Sequence, residues 1–300
     1  LEFHLYASEP QFVTKEVQQT IDWGVNVVQA PMLWGTTKGE GLKVAILDTG
    51  IDRSHPDLVA NLKGGANFSS SDRGDYEDRQ GHGTHCAGII GASDNGIGVV
   101  GVAPAVELYA VKVMGDNGSG GMQAIADGLD WCIANGIDIA SMSLGTSGDP
   151  GPILHDAIKR ARQAGIILVA ASGNEHTHCG WPAAYDEVIA VGAVDAGFDK
   201  ADFSNFGSEV DVAAPGVQIY STYKNQSYAK LSGTSMATPM VAGCVAIIQS
   251  LCRKMGQKAT PEIIMQMLTA KSVDLGADGK DTEYGAGLIN LYKLLAHNNK

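Results

Sequence analysis

From Lys43 onward the chain alternates short, strongly apolar runs with longer stretches of helical period. The runs are KVAILD (43–48), VELYAVKV (106–113), IDIASMS (137–143), IILVAAS (166–172) and VIAVGAV (188–194). Between them lie MQAIADGLDWCIANG (122–136) and ILHDAIKRARQAG (153–165), each closing on a glycine suited to the left-handed residue that ends a helix. Strands apolar on both faces and separated by helices predict an α/β fold, a mostly parallel central sheet with helices on both faces. After Gly207 the runs shorten to VDVAA, VQIYST and SYAKLS, which read as antiparallel hairpins. A long apolar helix is predicted from about Thr234 to Arg253, then helices near 260–270 and 287–296. Residues 1–20 are polar and aperiodic and read as an arm or a processing remnant. With no repeat or Pro/Ser-rich linker, one domain over 19–300 is expected, preceded by an arm over 1–18.

A hydrophobic content of 44% with 18% charged residues suits a globular core, and 38 glycines imply many tight turns. The net charge of −12 argues against nucleic acid or an anionic membrane as a partner. A soluble acidic surface accounts for it, and acidic loops also suit a hard cation. No run reads as a membrane span or a signal peptide, and the start at Leu1 reads as the loss of an upstream piece. The five cysteines, Cys86, Cys132, Cys179, Cys244 and Cys252, are odd in number and fit no zinc spacing, so buried free thiols are expected. Cys86 lies one turn beyond His82, where a bulky thiol reagent would disturb the imidazole.

Candidate chemistry sits in three separate stretches. Asp48 ends the first strand in VAILDTGID, His82 lies in GHGTHCAG where a helix should start, and Ser235 opens the long helix in SGTSMATP. A serine hydroxyl is a poor nucleophile until an imidazole takes its proton. The imidazole in turn needs a carboxylate to fix its tautomer and stabilise its cation. Each residue also has a plainer reading. Asp48 could simply cap a turn. Asp48-Thr49-Gly50 occurs in aspartic proteases as well, but those need two carboxylates and the chain has no second copy. His82 and His85 form H-x-x-H, too few ligands for zinc. His85 reads as a core histidine, and His82, between Gly81 and Gly83, as a general base. Ser235 alone would pass for a helix cap. As a nucleophile it gains from the unpaired amides and positive dipole of a helix start, and its own N–H can serve an oxyanion. Pro239 reads as a first-turn residue, and Met236 beside the serine is an oxidation hazard. Asn174, in AASGNE, is either a turn residue or an amide donor to the oxyanion. An open parallel sheet puts its site at the carboxyl ends of its strands, where Asp48, Ser143 and the 171–174 turn fall by pattern.

DTGID, SHPDL, GHGTHCAG, GVAP, SMSLG, AASGNE, DVAAPG and SGTSMATP stand in an order that resembles the subtilisin-family (subtilase) serine endopeptidases, from about Gln19 to about Leu295. The order Asp, His, Ser is subtilisin's own, recognised and not deduced. The resemblance implies a subtilisin-like three-layer fold and peptide hydrolysis through an acyl-enzyme, with Asp48, His82 and Ser235 as triad and Asn174 in the oxyanion hole. It implies that Gly118-Ser119-Gly120 and Ser143-Leu144-Gly145 pair with an extended peptide as added strands. The pocket for the residue before the scissile bond would be walled by Ser143–Gly145, Ala171, Ser172, Gly173 and Gly180. Such small walls predict broad specificity with a preference for large apolar or aromatic side chains, with Glu175, His176 and His178 near the rim. A catalytically silent binding module is the rival reading, disfavoured because all four active-site residues are present.

Structural Ca2+ is implied as well. Gln19, Asp57 and Asn95 match side-chain ligands, and Ser93, Ile97 and Val99 match carbonyl ligands, an oxygen-only set that suits calcium. The plainer reading is an ordinary Asp-Asn-Gly turn. A weaker cation site would use carbonyls of Ala183, Tyr185 and Val188 with Asp211, while DLGADGKDTE (274–283) lacks EF-hand spacing and reads as a solvated loop. LEFHLY reads either as the end of a propeptide, with Tyr6 before a self-cleavage point, or as part of an inhibitory arm of an intracellular form. The expected partners are therefore protein and peptide substrates, with the chain's own propeptide or arm as inhibitor in a zymogen state. Neither nucleic acid nor membrane is expected. The stretch from Gln19 to Val25 and the calcium ligands point to a secreted enzyme, with a cytoplasmic one as the alternative favoured by the thiols.

Overall fold

The computed structural model describes residues 1–13 and 18–295. The chain opens with β1 (Glu2–Leu5), β2 (Gln11–Phe12), α1 (Trp23–Val27) and a 3-10 turn at Ala30–Leu33. The body runs through β3 (Lys43–Asp48), β4 (Leu62–Asn67), α2 (His82–Gly91), β5 (Glu107–Lys112), β6 (Ser119–Gly121) and α3 (Met122–Ala134). It continues with β7 (Ile139–Met142), β8 (Leu144–Gly145), α4 (Pro152–Gln163), β9 (Ile167–Ala171) and β10 (Val188–Val194). Last come β11 (Val212–Pro215), β12 (Ile219–Tyr223), β13 (Ser227–Leu231), α5 (Thr234–Lys254), α6 (Pro261–Lys271) and α7 (Leu291–Leu295). The predicted last helix thus reaches Leu295, and position 296 lies outside the described residues, as do 14–17 of the arm.

Seven strands form one sheet in the order β11-β10-β9-β7-β3-β5-β4, with every neighbouring pair parallel. Strands β7, β9 and β10 are buried along their whole length, as continuous apolar runs require when both faces are covered. On one face α3 buries Ile125, Leu129 and Cys132, and α4 buries Leu154, Ala157, Ile158 and Ala161, each at three- and four-residue spacing. The left-handed Gly136 and Gly165 follow the ends of these two helices. On the other face α2 and α5 pack with β12 and β13. This is the expected α/β layering.

Several expectations change. VDVAA was expected in a hairpin, yet it becomes β11 and runs parallel beside β10, from Val191 opposite Val212 to Val194 opposite Pro215. It is buried on both faces, which marks a parallel strand. VQIYST and SYAKLS do pair antiparallel, as β12 and β13. Strand β4, a glycine-bearing edge strand in LKGGAN, was not foreseen. The amino-terminal arm, expected to be aperiodic, contributes β1 and β2. Finally, α5 is long and apolar enough to cross a membrane, with a mean hydropathy of 1.5, which corrects the reading that no run approaches a span. That window is wholly buried inside the protein, and a central core helix needs the same all-round apolar character. All five cysteines are buried free thiols.

Candidate active site

The carboxyl end of β3 delivers Asp48, fully buried, to the start of α2. Asp48 Oδ1 and Oδ2 lie 2.8 and 2.9 Å from His82 Nδ1, so Nδ1–H donates to the carboxylate and Nε2 carries the free lone pair of the neutral ring. Burial disfavours the imidazolium, but the Asp48 charge outweighs it and holds the His82 pKa well above 6.5. His82 can approach only because its neighbours lack side chains. A Cβ on Gly83 would stand 2.2 Å from the Gly50 carbonyl oxygen, and one on Gly81 2.4 Å from the Tyr223 ring. The loop before the helix is organised by the buried Asp78, which the sequence reading missed. Its Oδ1 accepts from Thr49 Oγ1 and the amides of Gln80 and Gly81, and its Oδ2 from the amide and hydroxyl of Thr84. An aspartate three residues ahead of a glycine-started helix was the available signal.

His85 sits deeper. Its Nε2 lies 3.1 Å from the carbonyls of both Ile219 and Ala229, and burial drives its pKa down to about 3, so it is a neutral core donor. Among the described residues the one grouping of three possible metal-ligating side chains is Asp48, His82 and Cys86. Burial raises the Cys86 pKa, and its S–H donates to the Ser235 carbonyl at 3.4 Å.

Ser235 is the second residue of α5, behind Gly233. Pro239 was expected in the first turn, but it is the sixth residue of the helix. It therefore removes the N–H that would bond the carbonyl of Ser235. That freed carbonyl is taken instead by Ser143 Oγ at 2.9 Å together with the Cys86 thiol. The Ser235 hydroxyl donates to the Ser143 carbonyl at 2.9 Å, and His82 Nε2 has no partner among the described residues.

The cleft beside Ser235 is filled by the chain's own amino terminus. β1 lies antiparallel between β6 and β8 as the middle of three strands, Phe3 opposite Gly120, His4 opposite Ser119 and Gly145, Leu5 opposite Leu144. Gly118 turns into β6 with a left-handed backbone, next to Leu5. Phe3 is 0% and Tyr6 4% exposed. A Cβ on Gly145 would lie 2.5 Å from the Tyr6 ring, and one on Gly180 3.2 Å from its hydroxyl, so both glycines are needed for the ring to enter. Tyr6 O accepts from Ser235 N–H at 3.2 Å, and Tyr6 N–H donates to Ser235 Oγ at 3.0 Å. Beyond it Ser8 N–H donates to Ser232 O and Ser8 Oγ accepts from Ser232 N–H.

The turn after β9 brings Asn174 to the start of α5. Asn174 Oδ1 accepts from the Thr234 amide at 3.0 Å and its hydroxyl at 2.8 Å, and Nδ2 is left without a hydrogen-bond partner among the described residues. Ala171 ends β9, Ser172 N–H continues the ladder to Val191 O, and Gly173 is left-handed. Gly180 N–H closes the wall by donating to Ser172 O. Burial raises the Tyr6 pKa, and the Glu175 charge adds to it. His176 and His178 instead pack on Phe206.

The calcium candidates converge elsewhere. Gln19 Nε2 lies 2.9 Å from Ser93 O, 3.3 Å from Val99 O and 3.4 Å from Asn95 Oδ1, so three oxygens surround one amide. Which end of that amide faces inward is a matter of assignment. With Oε1 inward the four oxygens form a set fit for a hard cation. Asp57 Oδ1 adjoins Asn95, and Ile97 N–H holds Asn95 Oδ1. The second candidate differs. Ala183, Tyr185, Val188 and Asp211 line a cavity of about 210 Å³ that Lys280 also lines, and its ammonium sits 3.2 Å from Asp211 Oδ1. In the 274–283 loop Asp274 and Asp281 accept from backbone amides.

A family model described as the Subtilase family matches residues 39–287. The chain is 43% identical over 295 residues to an intracellular serine protease of Paenibacillus polymyxa, covering 94% of this chain and 89% of the relative. It is 44% identical over 288 residues to an alkaline protease of Shouchella clausii, covering 95% and 72%. It is 45% identical over 275 residues to subtilisin Savinase of Lederbergia lenta, covering 91% and 97%. The first of these names states an intracellular compartment.

Proposed function

The chain belongs to the subtilase family and is a subtilisin-like serine endopeptidase, and from that premise we propose that it works through Asp48, His82 and Ser235 and is held in check by its own amino-terminal arm. Ser235 Oγ attacks the carbonyl before the scissile bond while its proton passes to His82 Nε2, and Asp48 stabilises the resulting cation. The oxyanion develops where the Tyr6 carbonyl sits, facing the Ser235 N–H, with Asn174 Nδ2 as second donor. The imidazolium then protonates the leaving amine, and water releases the acyl group by the reverse route. In this reading Tyr6–Ala7 is the scissile bond of the arm, and a large aromatic residue is preferred at the Tyr6 position.

The observation that carries the proposal is the Tyr6 carbonyl on the Ser235 N–H with the Tyr6 ring seated against Gly145 and Gly180. The bound arm also restrains the nucleophile. Ser235 Oγ accepts from Tyr6 N–H and donates to Ser143 O, so it must turn toward His82 before attack. Protein freed of the arm is expected to take a fluorophosphonate at Ser235 and to begin at Ala7. Absence of labelling on that protein overturns the proposal.

Two further outcomes follow from the site. A general base must be neutral, so a His82 pKa above 6.5 puts the acid limb of kcat above that pH, with activity rising toward alkaline pH. A rate unchanged from alkaline solution down to about pH 5 contradicts this. We also propose structural calcium at Gln19, Asp57, Ser93, Asn95, Ile97 and Val99. At calcium about a hundredfold above Kd the bound ion adds ~2.7 kcal/mol, so chelation of this 300-residue chain should lower Tm by roughly 4 °C. Asp57→Asn should erase the difference between chelated and calcium-loaded protein, and equal melting of the native chain in both conditions removes the ion from the account.

A further inference from the structure

We propose that Asn205 is a positioning residue for this reaction, its buried carboxamide setting the Ser172–Glu175 turn that both walls the specificity pocket and carries the oxyanion donor. The inference rests on the function proposed above and adds to it a residue outside the triad and outside the pocket wall. Asn205 lies in the connection between β10 and β11, is 1% exposed, and spends its whole amide on the neighbouring turn. Nδ2 donates to Ser172 O at 3.1 Å and to Glu175 Oε2 at 2.8 Å. Oδ1 accepts from the amides of Glu175 at 2.9 Å and Thr177 at 3.0 Å. Its backbone N–H donates to Gly173 O at 2.9 Å, and its carbonyl accepts from Ser172 Oγ at 3.3 Å. The amide comes so close that a Cβ on Gly173 would stand 2.1 Å from Nδ2.

The turn so held has two outputs. Asn174 is placed between two residues bound to Asn205, and its own N–H bonds the same Glu175 oxygen at 3.0 Å. Glu175, whose side chain would otherwise swing in solvent, keeps its carboxylate on the same Asn205 Nδ2 that donates to Ser172 O, the carbonyl that also accepts from Gly180 N–H beside the Tyr6 hydroxyl. Asn205 therefore acts on turnover through Asn174 and on charge preference through Glu175. A misplacement of about 1 Å at an oxyanion donor is worth up to about a hundredfold in rate.

The test exchanges donors and acceptors without changing shape. Asn205→Asp keeps the acceptor for Glu175 N–H and Thr177 N–H but faces Ser172 O and the Glu175 carboxylate with another acceptor. Arm-free protein is assayed at a single alkaline pH. Two peptides are used that differ only in Tyr or Lys before the scissile bond, with rates normalised to titrated active sites. Asn205→Asp should lower kcat on the Tyr peptide at least about tenfold and change the Lys-to-Tyr ratio of kcat/KM at least about fivefold. Adding Glu175→Gln restores a donor opposite the new carboxylate, so the double variant should return to within about threefold of Glu175→Gln alone. A native kcat and native ratio in Asn205→Asp overturn the proposal whatever the Tm, and so does a loss that Glu175→Gln does not recover. Asn205→Ser, which removes both links without adding charge, serves if the aspartate does not fold. Failure of the native chain to cut either peptide would instead count against the proposed function.

Discussion

The Ser235→Ala variant is expected to lose about 10⁶-fold in kcat, a magnitude that comes from subtilisin itself. The reason lies in the number of roles gathered on one residue. In the proposed mechanism Ser235 offers the attacking oxygen, and its N–H faces the Tyr6 carbonyl at 3.2 Å. Alanine keeps the N–H and removes only the oxygen, so the fold and the oxyanion site should survive. The variant should keep its Tyr6–Ala7 bond intact indefinitely, because nothing within it can open that bond. It should also become a substrate, cut at that bond by a trace of active enzyme once its arm leaves the cleft. Peptidase activity within about tenfold of the native chain would show that another residue supplies the nucleophile.

The arm gives the second large effect. Phe3 and Tyr6 are both essentially fully buried, each worth about 2–3 kcal/mol as an anchor. Because the arm is tethered, its effective concentration at the cleft is millimolar or above, and free peptides compete poorly. The double variant Phe3→Ala/Tyr6→Ala gives up roughly 5 kcal/mol of burial, enough to change cleft occupancy by about 5 × 10³. The initial rate on a peptide substrate is therefore expected to rise by about 10² or more over the uncut native chain. A native-like initial rate in both this variant and a chain lacking residues 1–8 would show that the arm does not restrain the enzyme. The native chain itself should show a lag that ends as Tyr6–Ala7 is cut.

Much of this arrangement was legible, and the illegible parts have definite causes. β3 and β10 coincide with KVAILD and VIAVGAV because a strand buried on both faces writes its own boundaries in apolar residues. Asp48, His82 and Ser235 were readable from their motifs, and the structure brings the first two within hydrogen-bond distance. LKGGAN became β4 without any alternation to announce it, because an edge strand takes its register from its neighbour, here β5. The arm failed to look like a strand for a related reason. Its pairing partners, β6 and β8, are more than a hundred residues away, and Phe3 and Tyr6 are apolar because of pockets and not because of a sheet period. Asp78 and Asn205 were invisible because a polar residue in a loop carries no sign of burial. Only the accounting of backbone amides around each one reveals its work.

One consequence of α5 concerns how such a chain can be made at all. By length and composition alone Thr234–Lys254 could span a bilayer, and its enclosure against the sheet buries that apolar surface. All seven strands of the parallel sheet precede it, the last ending at Pro215. During synthesis the receptacle is therefore complete in sequence before its most lipid-like segment leaves the ribosome. A circular permutation that moved α5 ahead of those strands would keep every native contact while reversing that order of emergence. The succession of elements thus makes the sheet that encloses α5 available in sequence before α5 itself.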